Sequence, residues 1–267
     1  MNDDGLGDWR HWAVATLAKD MPPAYPGGPS HKTGARVFLT TVAREARGEL
    51  VGFTMPSPTA LALSISIQAA KKADILRGEI TFQKQTSPYG AARGVPADQA
   101  TRLYDFFEQC MITVTFSFNA LEVFCNQTVA DELKETYTRS SRRGQQELTA
   151  ERVQRELSTE EKLANALPTI LGTDSPRDEP VWSDFRRLKR ARDSTIHMKA
   201  SDAYARGEID KESLFAEFFS MNSLMGFPIF AIEVIRFFNK PDQEERRWLR
   251  HARELAGILE RARRPSG

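Results

Sequence analysis

The residues best suited to proton transfer at a phosphate lie in RRLKRARDSTIHMK, residues 186–199, where six cationic side chains accompany one carboxylate and one of the chain's 4 histidines. An imidazole titrates near neutral pH and can take or give a proton, while a guanidinium offers a permanently charged planar fork to phosphate oxygens. Arg192 and His197 are the pair to weigh. Their spacing alone says little, because Arg246 and His251 repeat it in RRWLRH. Context separates the two. Asp193 precedes His197 by four residues on the same helical face, where a carboxylate can hold one imidazole nitrogen and fix its tautomer. Arg247 takes that place before His251, in a stretch of alternating charge, so His251 reads as a solvated surface residue.

Residues five apart on an ideal helix are rotated by about 140° and offset by ~7.5 Å, so Arg192 and His197 do not share a face. Two copies of the pair around a two-fold axis can surround one phosphate more easily than one copy can. Breaking RNA through its own 2'-hydroxyl needs a base for that proton, an acid for the leaving oxygen, and cationic support for the charge gathering on phosphorus. Arg192, His197 and Asp193 are the catalytic candidates, with Asp193 orienting the imidazole. Arg186, Arg187, Lys189, Arg190 and Lys199 flank them, spread around the helix. Lys189, Arg190 and Lys199 are the candidates for holding an RNA backbone. Glu122 and Asn126, with Asn119, form a polar stripe three and four apart in an apolar segment, which reads first as a solvated or inter-helix hydrogen-bonding face and second as accessory groups across from His197.

The elements that must position these groups are mainly helical. Leu103, Phe106, Phe107, Cys110, Val114, Phe118, Leu121, Cys125, Val129 and Leu133 recur three and four apart, predicting a long helix or two in tandem from Ala97 to about Tyr137. The segment after it is polar. Ser158 and Glu161 have capping-box spacing and Gly172 supplies a stop, so STEEKLANALPTILG is a short helix. A helix with Trp182, Phe185, Leu188 and Ile196 as apolar markers follows. Another runs from Asp210 to about Asn239, bent at Gly226 and Pro228, and a charged one follows with Trp248, Leu249, Leu255 and Leu259 as its stripe.

Residues 1–96 read as a mixed α and β region of unassigned role. Residues 7–19 predict a short helix, ARVFLTTVA and ELVGFTM predict strands, ALALSISI alternates at period two but is ambiguous because the helical QAAKKADILRG after it can extend back through it, and SPYGAARGVP is a linker. The expected organisation is thus 1–96, a helical bundle over 97–240, and a charged C-terminal helix over 241–267 that packs on the bundle.

Together these segments resemble a family. ARDSTIH looks like the signature of HEPN-domain ribonucleases, an Arg, a polar residue, three variable positions and a His. FSFNALEVFCNQTVADEL is similar to the first long helix of many such proteins, and LSTEEKLANALPTILG followed by WSDFRRLKRARDSTIH keeps their order of elements. The likeness covers about residues 98–240. It implies a HEPN-like helical bundle whose homodimer forms a composite active site that cuts RNA without metal or cofactor, in toxin or antiphage defence, with an antitoxin or sensor as partner. Some HEPN toxins carry a modified Tyr two residues after the His. Lys199 stands there in this chain, with Tyr204 further on. The alternative is a non-catalytic HEPN-like module for nucleotide binding or dimerisation.

Bulk properties are compatible with this reading. A formal charge of +1 over 267 residues provides no protein-wide field towards polyanions, so any RNA site is local. Cys110 and Cys125 lie about 22 Å apart on one helix and cannot bridge within the chain. The first residues, MNDDGLGDWRHW, lack the apolar run of an export signal, and LMGFPIFAIEVIRFF is too short and too charged to span a bilayer. A cytoplasmic protein without membrane contact is expected.

Overall fold

The computed structural model describes residues 8–23, 26, 28, 30–87, 90–141, 144–198, 213–239 and 247–261. The protein is mainly helical, with short antiparallel sheets. Its first strand, β1 (Ala13–Thr16), pairs with β2 (Arg36–Phe38), where the sequence predicts a helix over 7–19. The Pro- and Gly-containing stretch between them lets the chain reverse, and cross-strand pairing overrides a weak local preference. β3 (Thr40–Arg44) and β4 (Leu50–Thr54) form a hairpin over the two predicted strands.

The alternating run ALALSISI belongs to α1 (Pro58–Glu79), not to a strand. Ser57 caps this helix by accepting from the Ala60 N–H at 3.3 Å, and Pro58 sits at its first position, where no N–H is needed. Leu63 and Ile67 then fall on one buried face while Leu61 is left partly exposed. The expected linker is a hairpin, β5 (Gln83–Ser87) with β6 (Gly90–Gly94). α2 (Ala100–Glu132) is the predicted long helix, continuous over 33 residues. The polar segment after it pairs as β7 (Tyr137–Ser141) and β8 (Gly144–Leu148), and closes a small satellite core of Val129, Tyr137, Leu148, Val153 and Leu157.

α3 (Ala150–Glu156) leads into α4 (Thr159–Glu161), a π-helical turn (Lys162–Ala166) and α5 (Leu167–Leu171). The capping box is present: Ser158 Oγ accepts from the Glu161 N–H, and Glu161 accepts from the Ser158 N–H, both at 3.1 Å. Gly172 stops the run at φ 65°, a left-handed conformation that favours glycine. α6 (Pro180–Ile196) buries Trp182, Phe185, Leu188, Ala191 and Thr195. The expected bent helix is two helices, α7 (Leu214–Ser220) and α8 (Gly226–Phe237), so Gly226 and Pro228 occupy the first turn of the second one. α9 (Arg247–Arg261) buries Trp248, Leu249, Ala252 and Ala256.

The core does not break near residue 96, where a boundary is expected. α1 contributes Leu63, Ile67, Ala70 and Ala73 to the same cluster as Phe118 and Leu121 of α2, Phe185 of α6 and Ile232 of α8. α1 also fixes the joint between α7 and α8. Its buried Asp74 accepts from Ser223 Oγ at 2.7 Å and from the Leu224 N–H at 3.0 Å, while Arg77, one turn on, donates to the carbonyls of Phe219 and Met221. An acid thus meets orphan donors ahead of α8 and a base meets orphan carbonyls at the end of α7, the signs that helix ends favour. Asp74→Ala would leave a buried N–H without its acceptor and is expected to lower stability by about 2–4 kcal/mol. The check is a lower urea midpoint at unchanged slope.

Candidate functional site

α6 displays its polar residues on two distinct flanks. Counting 100° per residue, Arg186, Arg190, Asp193 and His197 fall within an arc of about 60° on the solvent face. Arg186, Arg190 and His197 are exposed. Arg192 lies on the other flank, against α2, with its guanidinium carbon 4.5 Å from the centre of the Phe118 ring. That ring is itself buried and stacks on Phe185 at 6.4 Å. The guanidinium therefore rests on a fixed aromatic plate, a favourable cation–π arrangement that leaves its edges for hydrogen bonding.

Asp193 takes one of those edges. Its carboxylate accepts from Arg192 Nη1 at 2.9 Å and from Lys189 Nζ at 3.2 Å, and Lys189 also lies 3.7 Å from the Glu160 carboxylate of α4. Partial burial alone would push the Asp193 carboxyl up, but the hydrogen bonds from Arg192 and Lys189 outweigh it and hold the group below its ordinary range. The predicted orienter of His197 is thus engaged with two cations. Its link to the imidazole residue runs through the backbone, the His197 N–H donating to the Asp193 carbonyl at 2.9 Å as α6 ends.

Asn126 makes an inter-helix hydrogen bond, the first of the two readings of its polar stripe. Its Oδ1 accepts from Lys162 Nζ at 2.8 Å, and the same buried ammonium donates to the Gln154 carbonyl at 2.7 Å. Burial lowers the Lys162 pKa, opposed by the nearby Cys125 and Glu122. Glu122 and Asn126 therefore face the ammonium at the start of the π-helical turn, and among the described residues neither hydrogen-bonds to His197. Arg190 is exposed as expected, Lys189 is half-buried in its ion pairs, and Lys199 and Tyr204 lie outside the described residues. His251, expected in solvent, stacks on Trp9 with ring centres 5.1 Å apart.

Phe118 and Glu160 are the members of the site that sequence reasoning misses. Phe118 is legible as a core position, but nothing in its spacing distinguishes a plate under an arginine from an ordinary buried ring. A groove of about 440 Å³ lies at the opposite end of α6, lined by Asp184, Glu233, Arg236 and Phe237 among others. Its carboxylates make it unsuited to a phosphate. Burial raises the Asp184 pKa, and Glu233 adds to the shift. Both thiols are buried and pushed well above the usual cysteine range by desolvation. Among the described residues no three His, Cys, Asp or Glu side chains gather in a metal-holding group, and no helix is long and apolar enough to cross a membrane. No known family matches the chain, and no curated protein or solved structure shows significant similarity to it.

The Asp193 pairing predicts a pH signature. Its folded pKa lies below the unfolded value of about 3.9, so the pairing stabilises the fold above that pH and the contribution is lost as pH falls through the folded value. The side chain is 40% exposed, which limits the contribution to about 1 kcal/mol or less. Asp193→Asn should be less stable than the wild type by up to that amount at neutral pH, with the gap closing in strong acid. Urea titrations at both pH values measure it.

Proposed function

We propose that this chain is a metal-independent endoribonuclease of the HEPN type, acting as a homodimer in toxin or antiphage defence. The observation that carries the reading is the disposition of Arg192 and His197. The guanidinium lies over the Phe118 ring at one flank of α6, and the imidazole is exposed at the end of the same helix on another flank. One copy presents a fixed phosphate fork and an accessible proton carrier pointing apart. A second copy across a two-fold axis brings another of each, so that one His197 takes the 2'-hydroxyl proton, the other protonates the 5'-oxygen leaving group, and the two Arg192 side chains offset the charge on phosphorus. The products are a 2',3'-cyclic phosphate and a 5'-hydroxyl end.

Asp193 holds the guanidinium edge-on and Lys189 holds Asp193, so the fork keeps one orientation before substrate arrives. One observation favours a second reading, a non-catalytic HEPN-like module that binds a nucleotide or builds a dimer. The Arg192 charge is already matched by Asp193, as in an ordinary structural ion pair.

The discriminating assay incubates labelled RNA with purified protein in EDTA. Cleavage is expected, and His197→Ala should lower its rate by about 10²–10⁴-fold, the range for loss of a general acid or base. Arg192→Ala should be impaired likewise, with His197→Ala retaining the wild-type melting temperature and Arg192→Ala, which gives up its contacts with Asp193 and Phe118, staying folded with a modestly lower one. Cleavage that survives both substitutions would eliminate the proposed site. RNA binding without cleavage in any of the three proteins would select the binding module.

A further inference from the structure

We propose that the β5–β6 hairpin is a second contact for an RNA strand, in which Lys84 and Arg93 grip one phosphate outside the cleavage site. The two residues are direct partners in the hairpin register. Side chains at such positions share a face with their Cβ atoms about 4.5–5.5 Å apart, and like charges placed there repel. Phe82, two residues before Lys84, lies on that same face, and the Arg93 guanidinium carbon is 5.1 Å from the centre of its ring.

No local acid neutralises the pair. Residues 80–97 contain Lys84 and Arg93 and no Asp or Glu. Glu79, the acid just before them, is taken by Arg102, whose Nε lies 3.6 Å from its carboxylate and whose Nη1 donates to its carbonyl at 3.2 Å. Among the described residues neither Lys84 nor Arg93 has an ion-pair partner, and both are exposed. A repulsive cross-strand pair left without a counter-charge is a feature that a bound anion would relieve.

The geometry is built, not incidental. Phe82 contacts Phe219 edge to face at 6.5 Å, and Phe219 packs in turn on Phe106 at 5.2 Å. The plate under Arg93 is thereby tied to the core, in the same manner as the Phe118 plate under Arg192. Two cationic heads on adjacent strands, one over the Phe82 ring and one on a flexible stem, suit the two free oxygens of a phosphodiester. An RNA strand is the partner the observations favour, because Arg186 and Arg190 form a second exposed row of cations on α6 and a polymer with a repeated phosphate can use both. Naming RNA rests on the nuclease reading above; the anion-binding geometry of the hairpin stands apart from it.

The test measures binding of a fluorescent single-stranded oligoribonucleotide to full-length His197→Ala protein by anisotropy across a salt series. The comparison is the same protein carrying Lys84→Ala and Arg93→Ala. The double substitution should weaken binding several-fold for every sequence tried and reduce the slope of log affinity against log salt by about 0.7 for each phosphate that is no longer neutralised. Lys84→Arg should retain both. The melting temperature should change little, since the repulsion removed offsets the lost contact of Arg93 with Phe82. Unchanged affinity and slope would overturn the hairpin site. So would displacement of the RNA by inorganic phosphate or by poly-glutamate at matched charge concentration, which would assign the pair to small anions or acidic proteins. Metal-free cleavage by wild type alongside unchanged binding in the double variant would sink the hairpin alone. Hairpin-dependent binding by a wild type that never cleaves would sink the nuclease alone.

Discussion

The seam between α1 and α2 is the constraint on which the rest of the structure depends. Small buried residues recur along it, Ala62, Ser66, Ala70 and Ala73 on one face of α1 and Cys110, Thr113, Ser117 and Ala120 on one face of α2. Larger side chains would hold two helices about 10 Å apart, and small ones allow a closer approach. A buried hydrogen bond of 2.6 Å between Ser66 and Ser117 spans the gap, and Ser66 Oγ also donates to the Thr113 carbonyl at 3.0 Å. A hydroxyl buried between helices is tolerated only when its bonding is satisfied, so this pair fixes both the separation and the register of the seam. With α2 seated in this way, its opposite face is free to receive α6 and α8.

Register at the seam therefore reaches the candidate site through a short chain of contacts. Ser117 faces α1 while its neighbour Phe118 faces α6, where it meets Phe185 and carries the Arg192 guanidinium. α1 acts on the other side as well, since Asp74 and Arg77 anchor the joint from which α8 departs. A helix that belongs by sequence to the N-terminal region is the mechanical base of the helical bundle. The rigid partners of Arg192 all come from packed helices, whereas His197 stands where α6 ends.

How much of this was readable from the chain follows from how local each cause is. The capping box at Ser158 and Glu161 and the stop at Gly172 are local chemistry, and they appear where expected. The 33-residue α2 was legible because its apolar repeat outlasts any strand. ALALSISI is ambiguous by pattern because alternation over eight residues also suits a helix whose small Ala and Ser can be buried on several sides, and the Ser57–Pro58 start signal decides the matter. The strand at Ala13–Thr16 and the hairpin at 83–94 depend on partners brought back by turns, which no local pattern encodes. At the site, the amphipathic order of α6 located Arg192 and His197 on different flanks. The assignment of Asp193 to the imidazole leaves out competition, and of the two readings of the Asn126 stripe the inter-helix hydrogen bond is the one present. Asp193 has two cations within reach, and the Lys162 ammonium, denied water, claims any oxygen near it.

The grip of Asp193 on Arg192 looks at first like an obstacle to phosphate chemistry there, but magnitudes favour the opposite view. An ion pair with one member 40% exposed contributes at most about 1 kcal/mol. A phosphodiester offers the same guanidinium two charged oxygens, and a bidentate charge-assisted contact is stronger than a single one. The carboxylate is thus a weak occupant of a strong site. Phe118 lies under the guanidinium independently of its anionic partner, and Lys189, which also pairs with Glu160, gives Asp193 a second cation. In the nuclease reading proposed above, an arginine held in this way would have little conformational freedom left to lose to substrate, which is the entropic condition that a preorganised catalytic cation has to meet.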